Sequence, residues 1–84
     1  MVDGRKPIPN RLWKHRKLTG LKQNEVAKKL GLRDGNLVSR WERGVAMPSA
    51  ENLLKLSTLY NTLANELYHE LCLEFIKELF KEDN

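Results

Sequence analysis

A single cysteine, Cys72, leaves this 84-residue chain without any intramolecular disulfide and without the thiolates of a zinc cluster. Long apolar runs are absent too, so neither a signal peptide nor a membrane span is expected, and the sequence predicts a cytosolic protein. The five glycines never gather into a loop that could cradle phosphate, Ser39, Ser49 and Ser57 have no histidine at a useful spacing, and carboxylates stand singly. Enzyme chemistry is therefore not expected, and neither is a metal or cofactor. The length accommodates one small helical core and not two. A formal charge of +4, with a pI near 9.4, asks for a negatively charged partner. That charge is uneven: Lys and Arg crowd the first half, while Glu51, Glu66, Glu70, Glu74, Glu78, Glu82 and Asp83 follow Pro48. The basic end is the candidate face for DNA.

What is present concentrates in residues 23–44, QNEVAKKLGLRDGNLVSRWERG. Val26, Ala27 and Leu30 fall on one helical face, and Gly31 is placed to stop the helix in the left-handed conformation. Leu32 anchors the turn. Asp34 offers a carboxylate cap to a second helix reaching about Arg43, with Leu37 or Val38 and then Trp41 on its buried side. Gly44 closes that helix. Gly35, Asn36, Ser39, Arg40 and Arg43 are left facing outward. Two helices joined by a short turn are the device that presents a second helix to the major groove, where Gly35 and Asn36 would allow close approach and Arg40 could reach guanine.

The order L-x-Q-x-E-V-A-x-x-L-G, then V-S-R-W-E-R-G and P-S, is carried by Leu21, Gln23, Glu25, Val26, Ala27, Leu30, Gly31, residues 38–44, Pro48 and Ser49. It resembles the Cro/phage-repressor (XRE) helix-turn-helix family over roughly residues 8–68. The resemblance implies an all-α, five-helix lambda-repressor-like domain. It also implies an ion pair between Arg16 and Glu42 that orients the guanidinium beside a DNA phosphate, and a Gln23 that donates to phosphate while bracing the recognition helix. The chain departs from the pattern in several places. Lys22 stands where Ser or Thr normally caps, losing about 1 kcal/mol of capping while offering a phosphate contact. His15 occupies an aliphatic position, which reads as a partly buried, hydrogen-bonded histidine. Trp13 and Leu18 replace polar residues, as an added packing surface or as scattered exposed side chains. One extra residue, Leu32 or Arg33, lies between Gly31 and Gly44. It leaves open the register against the bases of Gly35, Asn36 and Leu37.

Around this centre, residues 1–7 form an arm carrying Arg5 and Lys6, read as a frayed terminus or a basic contact. A first helix is expected over residues 8–19, with Pro9 in its first turn and Ile8, Leu12 and His15 on one side. Ser49 is expected to cap a fourth helix whose Leu53, Leu56 and Tyr60 close the core, with Asn61 ending it. Thr62 would begin a fifth, with Asn65 or Glu66 completing a cap. From there Ala64, Leu67, Tyr68, Leu71, Cys72, Phe75, Ile76, Leu79 and Phe80 form one apolar stripe along an extended C-terminal helix. The stripe exceeds what the domain needs. It either folds back over Trp13 or pairs with a second subunit, and a membrane-surface role is disfavoured by its acidic polar side.

These readings divide the chain into the arm (1–7), the DNA-binding domain (8–68) and a dimerisation element (69–84). The expected function is sequence-specific binding of double-stranded DNA by a homodimeric transcriptional regulator. Its DNA-contacting set is Arg16, Lys22, Gln23, Arg33, Gly35, Asn36, Leu37, Ser39, Arg40 and Arg43. Its dimer set is Tyr68, Leu71, Cys72, Phe75, Ile76, Leu79 and Phe80. The rival is a protein-interaction module, such as an antitoxin or a regulator that sequesters another regulator, binding its protein partner through the C-terminal stripe.

Overall fold

A computed structural model describes residues 6–81, and the proposed basic contact of Arg5 falls outside them. Six helices follow in order: α1 Leu12–Thr19, α2 Gln23–Leu30, α3 Asn36–Glu42, α4 Ala50–Leu59, α5 Ala64–Leu67 and α6 His69–Leu79. Leu12, Val26, Ala27, Leu30, Val38, Trp41, Leu56, Tyr60, Leu67 and Tyr68 bury to form the core, with Ile8, Leu21, Leu32, Leu53 and Leu71 packed around it.

The first helix starts later than residue 8. Pro9 disfavours helical backbone at Ile8, and the Ile8 N–H donates to the Gly44 carbonyl at 2.9 Å instead of entering a helix. Asn10 then organises the approach. Its Oδ1 accepts the Leu12 N–H at 3.0 Å, and its amide donates to the carbonyls of Ile8, Trp41 and Glu42 at 3.1–3.2 Å. One side chain thus starts α1 and satisfies carbonyls at the end of α3.

Both helices of the central pair end in the same hydrogen-bonded motif. After α2, Gly31 donates to Lys28 and Leu32 to Ala27; after α3, Gly44 donates to Trp41 and Val45 to Arg40. Gly44 has φ +74, and a Cβ built there would lie 2.5 Å from the Ile8 carbonyl oxygen. Gly44→Ala is therefore expected to destabilise by about 2–3 kcal/mol, from left-handed strain plus displacement of the Pro7–Ile8 backbone. Chemical denaturation measures this, and a loss under about 0.5 kcal/mol would refute the close approach.

The C-terminal expectation needs two corrections. Helix α5 begins at Ala64 with Leu63 as its N-cap residue and no side-chain cap, so neither Thr62, Asn65 nor Glu66 serves that role. The long fifth helix is also divided at Tyr68, whose φ of −123° and ψ of 40° leave the helical region. A tertiary bond accounts for the break: the Leu67 carbonyl accepts the Arg11 N–H at 2.7 Å, and the Tyr68 ring turns into the core, 4% exposed. Tyr68 is consequently a core residue and not part of an outer stripe. Burial pushes its hydroxyl up to about 12. Asn61, at φ 53°, ends the preceding segment in the left-handed conformation expected for it.

Candidate nucleic-acid interface

Helix α3 is held from both ends. At its start, Asp34 Oδ1 accepts the Asn36 N–H and Asn24 Oδ1 accepts the Gly35 N–H, both at 2.9 Å. Gly35 is buried against α2, where a Cβ would meet Asn24 Oδ1 at 2.7 Å and Gln23 Cβ at 3.1 Å. Its expected outward position is thus corrected: the missing side chain serves the α2–α3 approach. Leu32 packs on the core while Arg33 is exposed, so Arg33 is the turn residue that loops outward.

At its far end α3 is tied by Glu42. Oε2 accepts from Arg16 Nε at 2.5 Å, and Oε1 accepts from Arg16 Nη2 and Gln23 Nε2 at 3.0 Å each. Arg16 Nη1 donates to the Leu21 carbonyl at 3.0 Å. The two charged side chains are 8% and 5% exposed. The expected ion pair is present, but it nearly buries Arg16: three of its five N–H groups go to Glu42 and Leu21 and its side chain is 8% exposed, which leaves little surface for a phosphate. The carboxylate hydrogen bonds hold Arg16 charged, its pKa raised further above the ordinary arginine value. Gln23, half buried, spends one amide N–H on this network.

Between these supports, Val38 and Trp41 turn inward, and Asn36, Leu37, Arg40 and Arg43 present one continuous exposed face. Ser39 lies at its flank, where its Oγ accepts from Arg43 Nε at 3.2 Å. Lys22, which precedes Gln23 at the start of α2, is exposed; its backbone N–H donates to Glu25 Oε1 at 2.8 Å, which partly offsets the missing Ser or Thr cap. Lys28 and Arg33 line a shallow concavity with Asn24, Leu32 and Asp34 beside the turn.

A second polar cluster joins α1 to the C-terminal helices. Arg11 Nη1 donates to Glu66 Oε2 at 2.9 Å, and its Nη2 and Nε donate to Glu70 Oε2 at 2.6 and 3.1 Å. His15 Nε2 meets Glu66 Oε2 at 3.1 Å with its side chain 13% exposed, the partly buried histidine the sequence predicts. The Glu66 carboxyl is held below the ordinary glutamate range by His15 and then Arg11, and that of Glu70 by Arg11.

Beyond this cluster α6 buries no residue. Leu71 and Cys72 are half buried, whereas Phe75, Ile76, Leu79 and Phe80 are 46%, 52%, 72% and 76% exposed. The stripe does not fold over Trp13, which is itself 57% exposed and faces Lys17 Nζ at 5.6 Å from the ring centroid. Leu18 is exposed as well. No described helix is long and apolar enough to cross a membrane.

Four structurally decisive residues escape a reading by periodicity: Asn10, Arg11, Asn24 and Glu70. Each acts through a contact across the fold. Asn10 alone carries a local cue, since an Asn two residues ahead of a helical pattern is a common helix starter.

Comparison with known proteins agrees with this architecture. The chain is 42% identical over 60 residues to the HTH-type transcriptional regulator ImmR of Bacillus subtilis (strain 168), a match covering 71% of this chain and 46% of that regulator. The chain thus spans about half the length of the curated relative it matches. No solved structure matches it at a comparable level. A helix-turn-helix family profile aligns with residues 14–67, well over half the chain and the whole of the α2–α3 unit with its supports, and the protein belongs to that family, the Cro/repressor type.

Proposed function

We propose that this protein binds double-stranded DNA sequence-specifically as a homodimeric transcriptional regulator, with α3 in the major groove and α6 joining the subunits. The observation that carries the reading is the outward face of α3, on which Asn36, Leu37, Arg40 and Arg43 are all exposed while both ends of the helix are fixed to α1 and α2. A rigid helix bearing the Asn36 amide and the Arg40 guanidinium suits base edges. Lys22, Arg33 and Arg43 suit the flanking phosphates. Family membership and the likeness to a transcriptional regulator support the same reading. Residues 8–68 act as the reading unit and residues 69–84 as the dimer element.

Selection from a random duplex library tests this. A short two-fold symmetric motif is expected, bound with an affinity that falls steeply with salt. Arg40→Ala should cost about 1–3 kcal/mol at the selected site and relax one base position in each half. An unchanged motif would remove Arg40 from the base-reading set. Lys22→Ala and Arg43→Ala should weaken selected and random duplexes alike, each lowering the salt slope by about one unit.

The exposed α6 stripe favours one rival, a module that captures another protein. That reading predicts weak, sequence-independent DNA binding and no enriched motif.

A further inference from the structure

We infer that Arg11 and Glu70 form a positioning pair that sets the separation of the two DNA half-sites, although neither side chain lies on the reading face. The inference rests on the proposed function, in which α6 joins two subunits and each α3 reads one half-site.

The geometry behind it is a division of labour at Tyr68. Everything up to Leu67 is fixed by burial, since Leu67 and Tyr68 are 0% and 4% exposed. Beyond the break, α6 has no buried residue, and Leu71 alone among its residues packs on the core cluster. A single half-buried leucine locates a helix end without fixing its direction. Arg11 supplies the second point. Its backbone N–H bonds the Leu67 carbonyl before the break, and its guanidinium grips Glu70 after it through Nη2 at 2.6 Å and Nε at 3.1 Å. Among the described residues this is the side-chain hydrogen bonding that spans the break. The bond from Arg11 to Glu66 at 2.9 Å does not span it, because Glu66 belongs to α5. Both donors converge on Oε2 and Nε also reaches Oε1 at 3.3 Å, so the contact engages both carboxylate oxygens and constrains orientation as well as distance. Arg11 immediately precedes α1, which carries Arg16, and Arg16 fixes the end of α3 through Glu42. The direction of α6 is thereby referred to the direction of the recognition helix through consecutive bonded contacts.

Spacing is where such an angle is read out. Each base pair added between half-sites turns one against the other by about a tenth of a turn, so a dimer with a fixed α6 angle tolerates one separation. A dimer with a loose α6 tolerates several.

The test uses the intact chain and duplexes carrying two copies of the selected half-site separated by every spacer from zero to several base pairs. Wild type should prefer one spacer over its neighbours by about tenfold. Glu70→Gln, a surface change that keeps the side-chain shape, should reduce that preference to about threefold or less while leaving the half-site bases and the dimer mass unchanged. Arg11→Gln should do the same. Glu66→Gln is the control and should keep the wild-type spacer preference, because its bond to Arg11 lies on one side of the break. If Glu70→Gln keeps the full preference, or if Glu66→Gln loses it equally, the inference is overturned while the proposed function stands. A wild type that selects single half-sites, or is monomeric by light scattering on DNA, overturns the proposed dimer and the inference together.

Discussion

Arg16→Ala is expected to remove about 3–5 kcal/mol of stability, the cost of leaving a buried carboxylate without its counter-charge. Glu42 is 5% exposed at its side chain, and after the change its remaining side-chain donor is the Gln23 amide at 3.0 Å. For a domain of this size each kcal/mol lowers the thermal midpoint by about 4–8 °C, so a fall on the order of 20 °C is expected. The double variant Arg16→Met with Glu42→Leu should recover much of that loss, since apolar residues of similar volume carry no desolvation penalty. Its DNA binding should nevertheless stay impaired, because Gln23 and the end of α3 lose their shared anchor. A midpoint shift under about 5 °C for Arg16→Ala would show that the pair is solvated in solution and that Arg16 is free for phosphate after all.

That pair marks the boundary between what the chain discloses locally and what it does not. The stop at Gly31, the cap at Ser49, the inward Val38 and Trp41, and the left-handed Asn61 depend on neighbours within a turn or two, and the structure has them where periodicity and capping place them. The Arg16–Glu42 pair joins residues 26 apart, and only the family resemblance points to it. Arg11 reaches Glu70 across 59 positions and Asn10 reaches Glu42 across 32, with no local pattern to announce either. The same distance in sequence conceals the break at Tyr68. Helical spacing continues without interruption from Leu67 to Leu71, yet the Leu67 carbonyl is taken by Arg11 and the Tyr68 ring by the core. Gly35 is ambiguous in the sequence for a related reason. A residue without a side chain looks equally suited to a base edge and to a neighbouring helix, and only the 2.7 Å that a Cβ would leave to Asn24 decides between them.

Phe75→Glu is expected to abolish the proposed dimer and lower operator affinity by on the order of a hundredfold, leaving the helical far-ultraviolet signal nearly unchanged. The argument begins with α3, which over seven residues presents three exposed side chains, with Arg43 at its C-cap as a fourth, and can contact only a few base pairs. Useful affinity then calls for a second copy, and two-fold symmetry supplies it when one patch meets itself. Phe75, Ile76, Leu79 and Phe80 form such a patch, each 46–76% exposed. Covering four such side chains on each of two subunits contributes on the order of 10 kcal/mol before the losses of association, at ~25 cal/mol per Å². A glutamate in the middle of that surface must be desolvated against its own copy, where like charges add to the penalty. The fold should not suffer, because Phe75 is 46% exposed and lies two turns beyond Tyr68 on a helix with no fully buried residue. Light scattering at tens of micromolar gives the mass of wild type and variant, and titration of the selected duplex gives the affinities. A wild type that remains monomeric at that concentration and on its duplex would end the dimer proposal and leave the α6 stripe for a different protein, whereas a dimeric Phe75→Glu would place the contact elsewhere on the chain.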